Sequence, residues 1–116
     1  MRLKSITLAI VSLTALTVGT SALAQKKYDQ GATDKEIKIG GISPYSGPAS
    51  AYGAIGKAIT AYFEKVNAEG GVNGRKLTFI SLDDGYNPAK TVEQARKLVE
   101  EEEVLFVFNT LGTPPN

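Results

Sequence analysis

Residues 36–62 read EIKIGGISPYSGPASAYGAIGKAITAY: an alternating apolar run, a turn rich in Ser, Pro and Gly, then apolar residues at helical spacing. This is strand, loop, helix. Glu36, Lys38 and Gly40 alternate with Ile37, Ile39 and Gly41 ahead of Ile42, so at least one strand face is apolar and β-branched, as a buried strand requires. The turn places the hydroxyls of Ser43, Tyr45, Ser46, Ser50 and Tyr52 after the strand's carboxyl end, where open α/β sheets bind their ligands. The helix begins near Gly47-Pro48 or at Ser50 as N-cap, and Ala51, Ile55, Ala58, Ile59, Tyr62, Phe63 and Val66 form its apolar stripe. Gly53 and Gly56 weaken that helix unless they allow a close approach to a sheet or a ligand.

Downstream the pattern repeats. GGVNGR at residues 70–75 ends the helix and turns the chain; as a loop that follows a helix and precedes a strand, it has the reverse order of a phosphate-binding loop. Lys76 to Asp83, KLTFISLD, carries apolar groups on both faces, as a strand of a covered parallel sheet does. Asp83, Asp84, Asn87 and Pro88 are turn and capping residues, because neighbouring carboxylates on an extended chain point apart. A second helix runs from Pro88 to about Glu101 with Val92, Ala95, Leu98 and Val99 as its buried stripe, and it ends on four glutamates with no glycine stop. Val104 to Phe108, VLFVF, is a third strand, and residues 109–116, NTLGTPPN, a third turn at a carboxyl end.

The order β-α-β-α-β with right-handed crossovers predicts an α/β fold, a three-stranded parallel sheet of order 2-1-3 with the first strand central. Its third strand would be an apolar edge without a cover, so the sequence reads as a truncated, incomplete lobe.

The first residues read as an address. Arg2 and Lys4, the apolar run Ile6 to Val18 and the small residues of Ala22-Leu23-Ala24 predict a signal peptide over 1–24, cleaved after Ala24. The run is shorter than the roughly 20 residues of a membrane span, so the exported chain is not embedded in the membrane. Gln25 to Lys35 is polar and suits a frayed leader. Residues 25–116 then form the domain.

Composition excludes chemistries. With no His and no Cys there is no imidazole base, no thiol nucleophile, no disulfide and no usual zinc site. Thirteen basic against twelve acidic residues make no cationic face for nucleic acid. These counts weigh against an enzyme, and no cofactor or metal is expected.

With those residues in place, the chain resembles the N-terminal part of a periplasmic solute-binding protein of the branched-chain amino acid (Leu/Ile/Val-binding) type, the binding component of an ABC importer. The resemblance is carried by Ser46-Gly47-Pro48, Ala51-Tyr52-Gly53, Asn67 to Arg75, Asp83-Asp84, Asn87-Pro88 and Gly112-Thr113. It implies the start of the N-terminal lobe of a type I periplasmic binding fold, with two lobes closing on a small carboxylate-bearing solute, an amino acid or an aromatic or aliphatic acid, for delivery to a permease. On this resemblance Tyr52 lines the solute's side chain, and Thr113 binds its carboxylate through hydroxyl and backbone N–H. Leu111 and Gly112 supply the backbone approach, and Ser46 and Tyr45 sit on the cleft rim. The chain departs from the family at Asn109 and at Glu102-Glu103, where glycine is common. The function expected is exported solute binding, in a piece unable to bind alone. The alternatives are the ligand-sensing domain of an exported signalling receptor and a non-functional remnant.

Overall fold

The structure is a computed structural model that describes residues 27–116; the expected signal peptide lies outside the described residues. The elements run β1 (Glu36–Ser43), a 3-10 turn (Ser50–Tyr52), α1 (Gly53–Ala68), β2 (Lys76–Asp83), α2 (Pro88–Arg96) continuing into a π turn (Lys97–Glu101), and β3 (Phe106–Thr110). The sheet is parallel and its order is β2-β1-β3, the predicted topology. β1 and β2 pair without interruption from Glu36 with Lys76 to Ser43 with Asp83.

Two adjacent glycines in β1 show that the helices lie on opposite faces, because successive residues of a strand point to opposite sides. Gly40 faces the methyl groups of Leu98 at the end of α2, whereas Gly41 faces the ring of Phe79, which Phe63 of α1 meets edge-on at 5.4 Å. Two crossovers of one hand running in opposite directions along the sheet produce this arrangement. On the α2 face Ile42, Leu98 and Val104 form the buried core, with Ile80, Leu82, Ala95 and Val107 packed around it. On the α1 face Phe63, Phe79 and Phe108 form an aromatic cluster, in which Phe63 and Phe108 stand 6.1 Å apart.

The structure corrects several sequence expectations. The α2 stripe is rotated: Val92 and Val99 are more than half exposed, and Thr91, Ala95 and Leu98 face inward. The cause is polar, since the Thr91 hydroxyl donates to the fully buried Asp84 carboxylate at 2.7 Å and fixes which side of the helix meets the sheet. On α1, Ile55 and Tyr62 are exposed, because that helix covers only the β1 and β2 half of its face.

β3 starts two residues later than expected. Glu103 takes a left-handed conformation at φ 53°, supplying the stop that the four glutamates lacked, and the Val104 N–H returns to the Leu98 carbonyl at 3.1 Å. Val104 is therefore core before the strand begins. The Lys38 ammonium donates to the Glu102 carbonyl at 3.1 Å and offsets the unfavourable charge at this helix end.

The described part of the N-terminal segment, residues 27–35, is ordered where fraying was expected. The Lys38 N–H donates to the Gly31 carbonyl at 2.7 Å, the Gln30 amide donates to the Val99 carbonyl at 2.8 Å, and Thr33 Oγ1 accepts from the N–H groups of Lys35 and Glu36. These bonds bind the segment to the end of α2 and the start of β1.

Candidate functional site

In a parallel sheet every strand delivers its following loop to one edge, so the loops after β1, β2 and β3 share a rim. Asp83, the last residue of β2, joins the first two. Its Oδ1 accepts from the N–H groups of Tyr45 (2.8 Å), Ser46 (3.1 Å) and Gly85 (3.0 Å), and its Oδ2 accepts from the Ser46 hydroxyl at 2.5 Å. Burial pushes the Asp83 carboxyl up, but the hydrogen bonds from the Ser46 hydroxyl and from the N–H groups of Gly85, Ser46 and Tyr45 outweigh it and hold the group below its ordinary value. Asp84, fully buried, accepts from Thr91 and from the Tyr86 N–H at 2.9 Å, and so seats α2.

The third loop is aimed by a bulge. Between Gly40 paired with Val107 and Ile42 paired with Thr110, β3 carries one residue more than β1, and Asn109 within that span adopts φ 60°. Asn tolerates the left-handed region better than most other residues with a side chain, so it can fill this bulge position without a glycine. Beyond the bulge the Leu111 N–H returns to the Ile42 carbonyl at 3.2 Å, which ties this loop to the end of the central strand. Gly112 follows at φ 115°; a Cβ there would stand 2.4 Å from Cε2 of Tyr86, so the ring of Tyr86 lies against the Gly112 backbone. Only glycine satisfies both demands.

The six candidate residues thus fall at one edge, in different states. Ser46 is exposed, with its hydroxyl given to Asp83. The Tyr45 ring turns away from the rim: its hydroxyl bonds Ser81 Oγ at 2.5 Å, and a Cβ on Gly56 would fall 2.1 Å from that hydroxyl, so Gly53 and Gly56 admit the ring beneath α1. Tyr45 offers the rim its backbone rather than its ring. Tyr52, 59% exposed, stands on the 3-10 turn at the start of α1. Leu111 and Gly112 are partly buried, and Thr113 is exposed with no hydrogen-bond partner among the described residues. Through their backbones and neighbours, Tyr45, Ser46, Leu111 and Gly112 are drawn together by Asp83, Ile42 and Tyr86. Tyr52 and Thr113 stand free at the margins.

Asp83 and Tyr86 are the residues that sequence reading missed. An Asp-Asp-Gly run at the end of a strand is a common turn, and nothing in sequence reports that the acceptor capacity of Asp83 is filled from a loop 37 residues earlier. Tyr86 at φ 62° is unusual for a bulky residue, and only the fold shows its ring on Gly112.

Residues 36–115 match the family described as periplasmic binding protein. Among curated proteins the chain is similar to the Leu/Ile/Val-binding protein of Escherichia coli K12, 33% identical over 90 residues, 75% of this chain and 23% of that protein. Among solved structures it is similar to a fatty acid ABC transporter substrate-binding protein from Thermomonospora curvata, with TM-score 0.67 and 34% identity over 77% of this chain and 23% of the other. It is also similar to the branched-chain amino acid transporter substrate-binding protein LivJ of Streptococcus pneumoniae, solved with isoleucine, with TM-score 0.66 and 26% identity over 70% of this chain and 24% of the other. The chain spans between a fifth and a quarter of the length of these relatives. With its parallel 2-1-3 sheet and its loops gathered at the carboxyl edge, the chain belongs to the periplasmic binding protein family, which is non-enzymatic.

Proposed function

We propose that this chain forms one wall of the cleft of an exported solute-binding protein that takes up an amino acid or a related small carboxylate and hands it to an ABC permease. The observation that carries the reading is the convergence of three loops at one sheet edge, with the free hydroxyl of the exposed Thr113 next to the partly buried backbone turn of Gly112. Hydroxyl and backbone N–H donors suit a carboxylate, and such a charge-assisted contact contributes about 1.5 to 3 kcal/mol. In this reading Thr113, Gly112 and Leu111 hold the carboxylate, Tyr52 lines the rest of the solute, and Tyr45 and Ser46 form the rim. Isoleucine and fatty acids, the solutes of two similar proteins, share a carboxylate and differ in the remainder, which supports a site built around the common group.

Calorimetric titration of a complete two-lobed protein that carries this wall with isoleucine, octanoate and benzoate tests the reading. Thr113→Ala should weaken the binding of whichever acid is taken about 10- to 150-fold. Unchanged affinity would remove Thr113 from the site, and no binding of any of the three would count against the carboxylate reading.

A further inference from the structure

We propose that Asp83 is a positioning residue of the solute site: its carboxylate, shared by the loops after β1 and β2, holds the backbone of Tyr45 and Ser46 in the conformation that forms the rim. This rests on the solute-binding reading above. Asp83 takes three N–H groups and one hydroxyl, and three of those four donors lie in the other loop. The loops also touch directly, since a Cβ on Gly47 would stand 3.1 Å from the Gly85 carbonyl oxygen. No other side chain is bonded to both loops among the described residues, so Asp83 is the side chain that ties them, beside the strand pairing of Ser43 with Asp83 and the close approach of Gly47 to Gly85.

The clamp depends on charge, because an ionised carboxylate accepts four bonds without a proton of its own to place. The groups facing Asp83 do not compete for that role. The Tyr45 hydroxyl is turned to Ser81, the Asp84 carboxylate to Thr91 and Tyr86, and no cation pairs with Asp83 among the described residues. Its folded-state pKa is depressed, so the stabilisation is complete above the ordinary aspartate value of 3.8 and is lost as pH falls through the folded value.

An NMR titration of the amide groups in the whole chain tests this. The N–H signals of Tyr45, Ser46 and Gly85 should move together with one midpoint below pH 3.8. In Asp83→Asn, an isosteric change that keeps one acceptor, that transition should vanish, and amide exchange at Tyr45 and Ser46 should quicken at least about tenfold while exchange at Leu77 is unchanged. Ser46→Ala should raise the shared midpoint without abolishing it. Three separate midpoints, or unchanged exchange in Asp83→Asn, would overturn the proposal. A solute arm, run in a complete two-lobed protein that carries this wall, separates the two readings. If isoleucine or benzoate binds, its affinity at neutral pH should fall at least about fivefold in Asp83→Asn; an unaltered affinity would overturn the positioning role. If neither binds, the solute reading fails, and the amide titration still decides whether Asp83 sets the loop.

Discussion

The two faces of this sheet are built from similar residues and closed to different degrees. On the α2 face Ile42 and Leu98 are fully buried and Val104 is 5% exposed, whereas on the α1 face Phe106 and Phe108 remain 47% and 45% exposed. The difference lies in the paths of the two crossovers. α1 carries the chain from β1 to its neighbour β2 and covers that half alone, leaving an apolar groove of about 410 Å³ between Ile55, Ala58, Ile59, Tyr62, Phe63 and Phe108. α2 must pass over the central strand to reach β3, so its Leu98 settles on Gly40 in the middle of the sheet. Which face gets a dense core thus follows from strand order more than from hydrophobic content.

The modes of attachment differ as well. α2 is locked by apolar packing and by the buried bond from Thr91 to Asp84. α1 is pinned at its far end by Asn67, whose side chain accepts from the Leu77 N–H and donates to the Leu77 carbonyl, both at 2.8 Å, as a fourth strand on that edge would.

Substitutions on the two faces can break this comparison. Leu98→Ala should have the largest effect, a loss of about 3 kcal/mol in urea unfolding, because it opens a cavity against Gly40 that a packed core cannot close. Asn67→Ala should cost about 2 kcal/mol by stranding two partly buried backbone groups of β2. Hydrogen exchange should show the loss spreading along β2 and α1 before it reaches α2; uniform loss would mean that the two faces are one unit. Phe108→Ala should cost only about 1 kcal/mol, since nearly half of that side chain is already in water. If it matched Leu98→Ala, the claimed asymmetry of the faces would be wrong. The smallest effect should be a gain: Glu103→Gly relieves a left-handed glutamate and removes a charge from a helix end, raising the unfolding midpoint by an amount equivalent to at most about 1 kcal/mol.

What could be read from the sequence follows the same division. Strand β1, both helices and the 2-1-3 order were legible because apolar period and short connections are local signals. The start of β3 was not, since VLFVF looks like one strand whether or not Glu103 turns left-handed before it. The inward face of α2 was hidden for a related reason: Val92 and Val99 outrank Thr91 on any hydrophobic count, and only the buried Asp84 reverses the choice. At the site, the position of the three loops could be foreseen from topology. Their coupling could not, because Asp83 with Ser46 and Tyr86 with Gly112 are pairings between distant residues with no periodic signature.

The central place of β1 has a consequence for how this chain folds. Each of its pairings with β2 joins residues forty positions apart, as Glu36 with Lys76, and its pairing with β3 begins only at Ile39 with Phe106. Among the described residues the strands pair only in parallel, and the local antiparallel contact of β1 is the isolated bridge of Ala32 with Ile37, so loop closure must come before either ladder of the sheet forms. β1 therefore waits for both neighbours. Sheet formation here waits on the return of two distant segments to β1, and the helices, whose bonds are local, can form before any strand is paired.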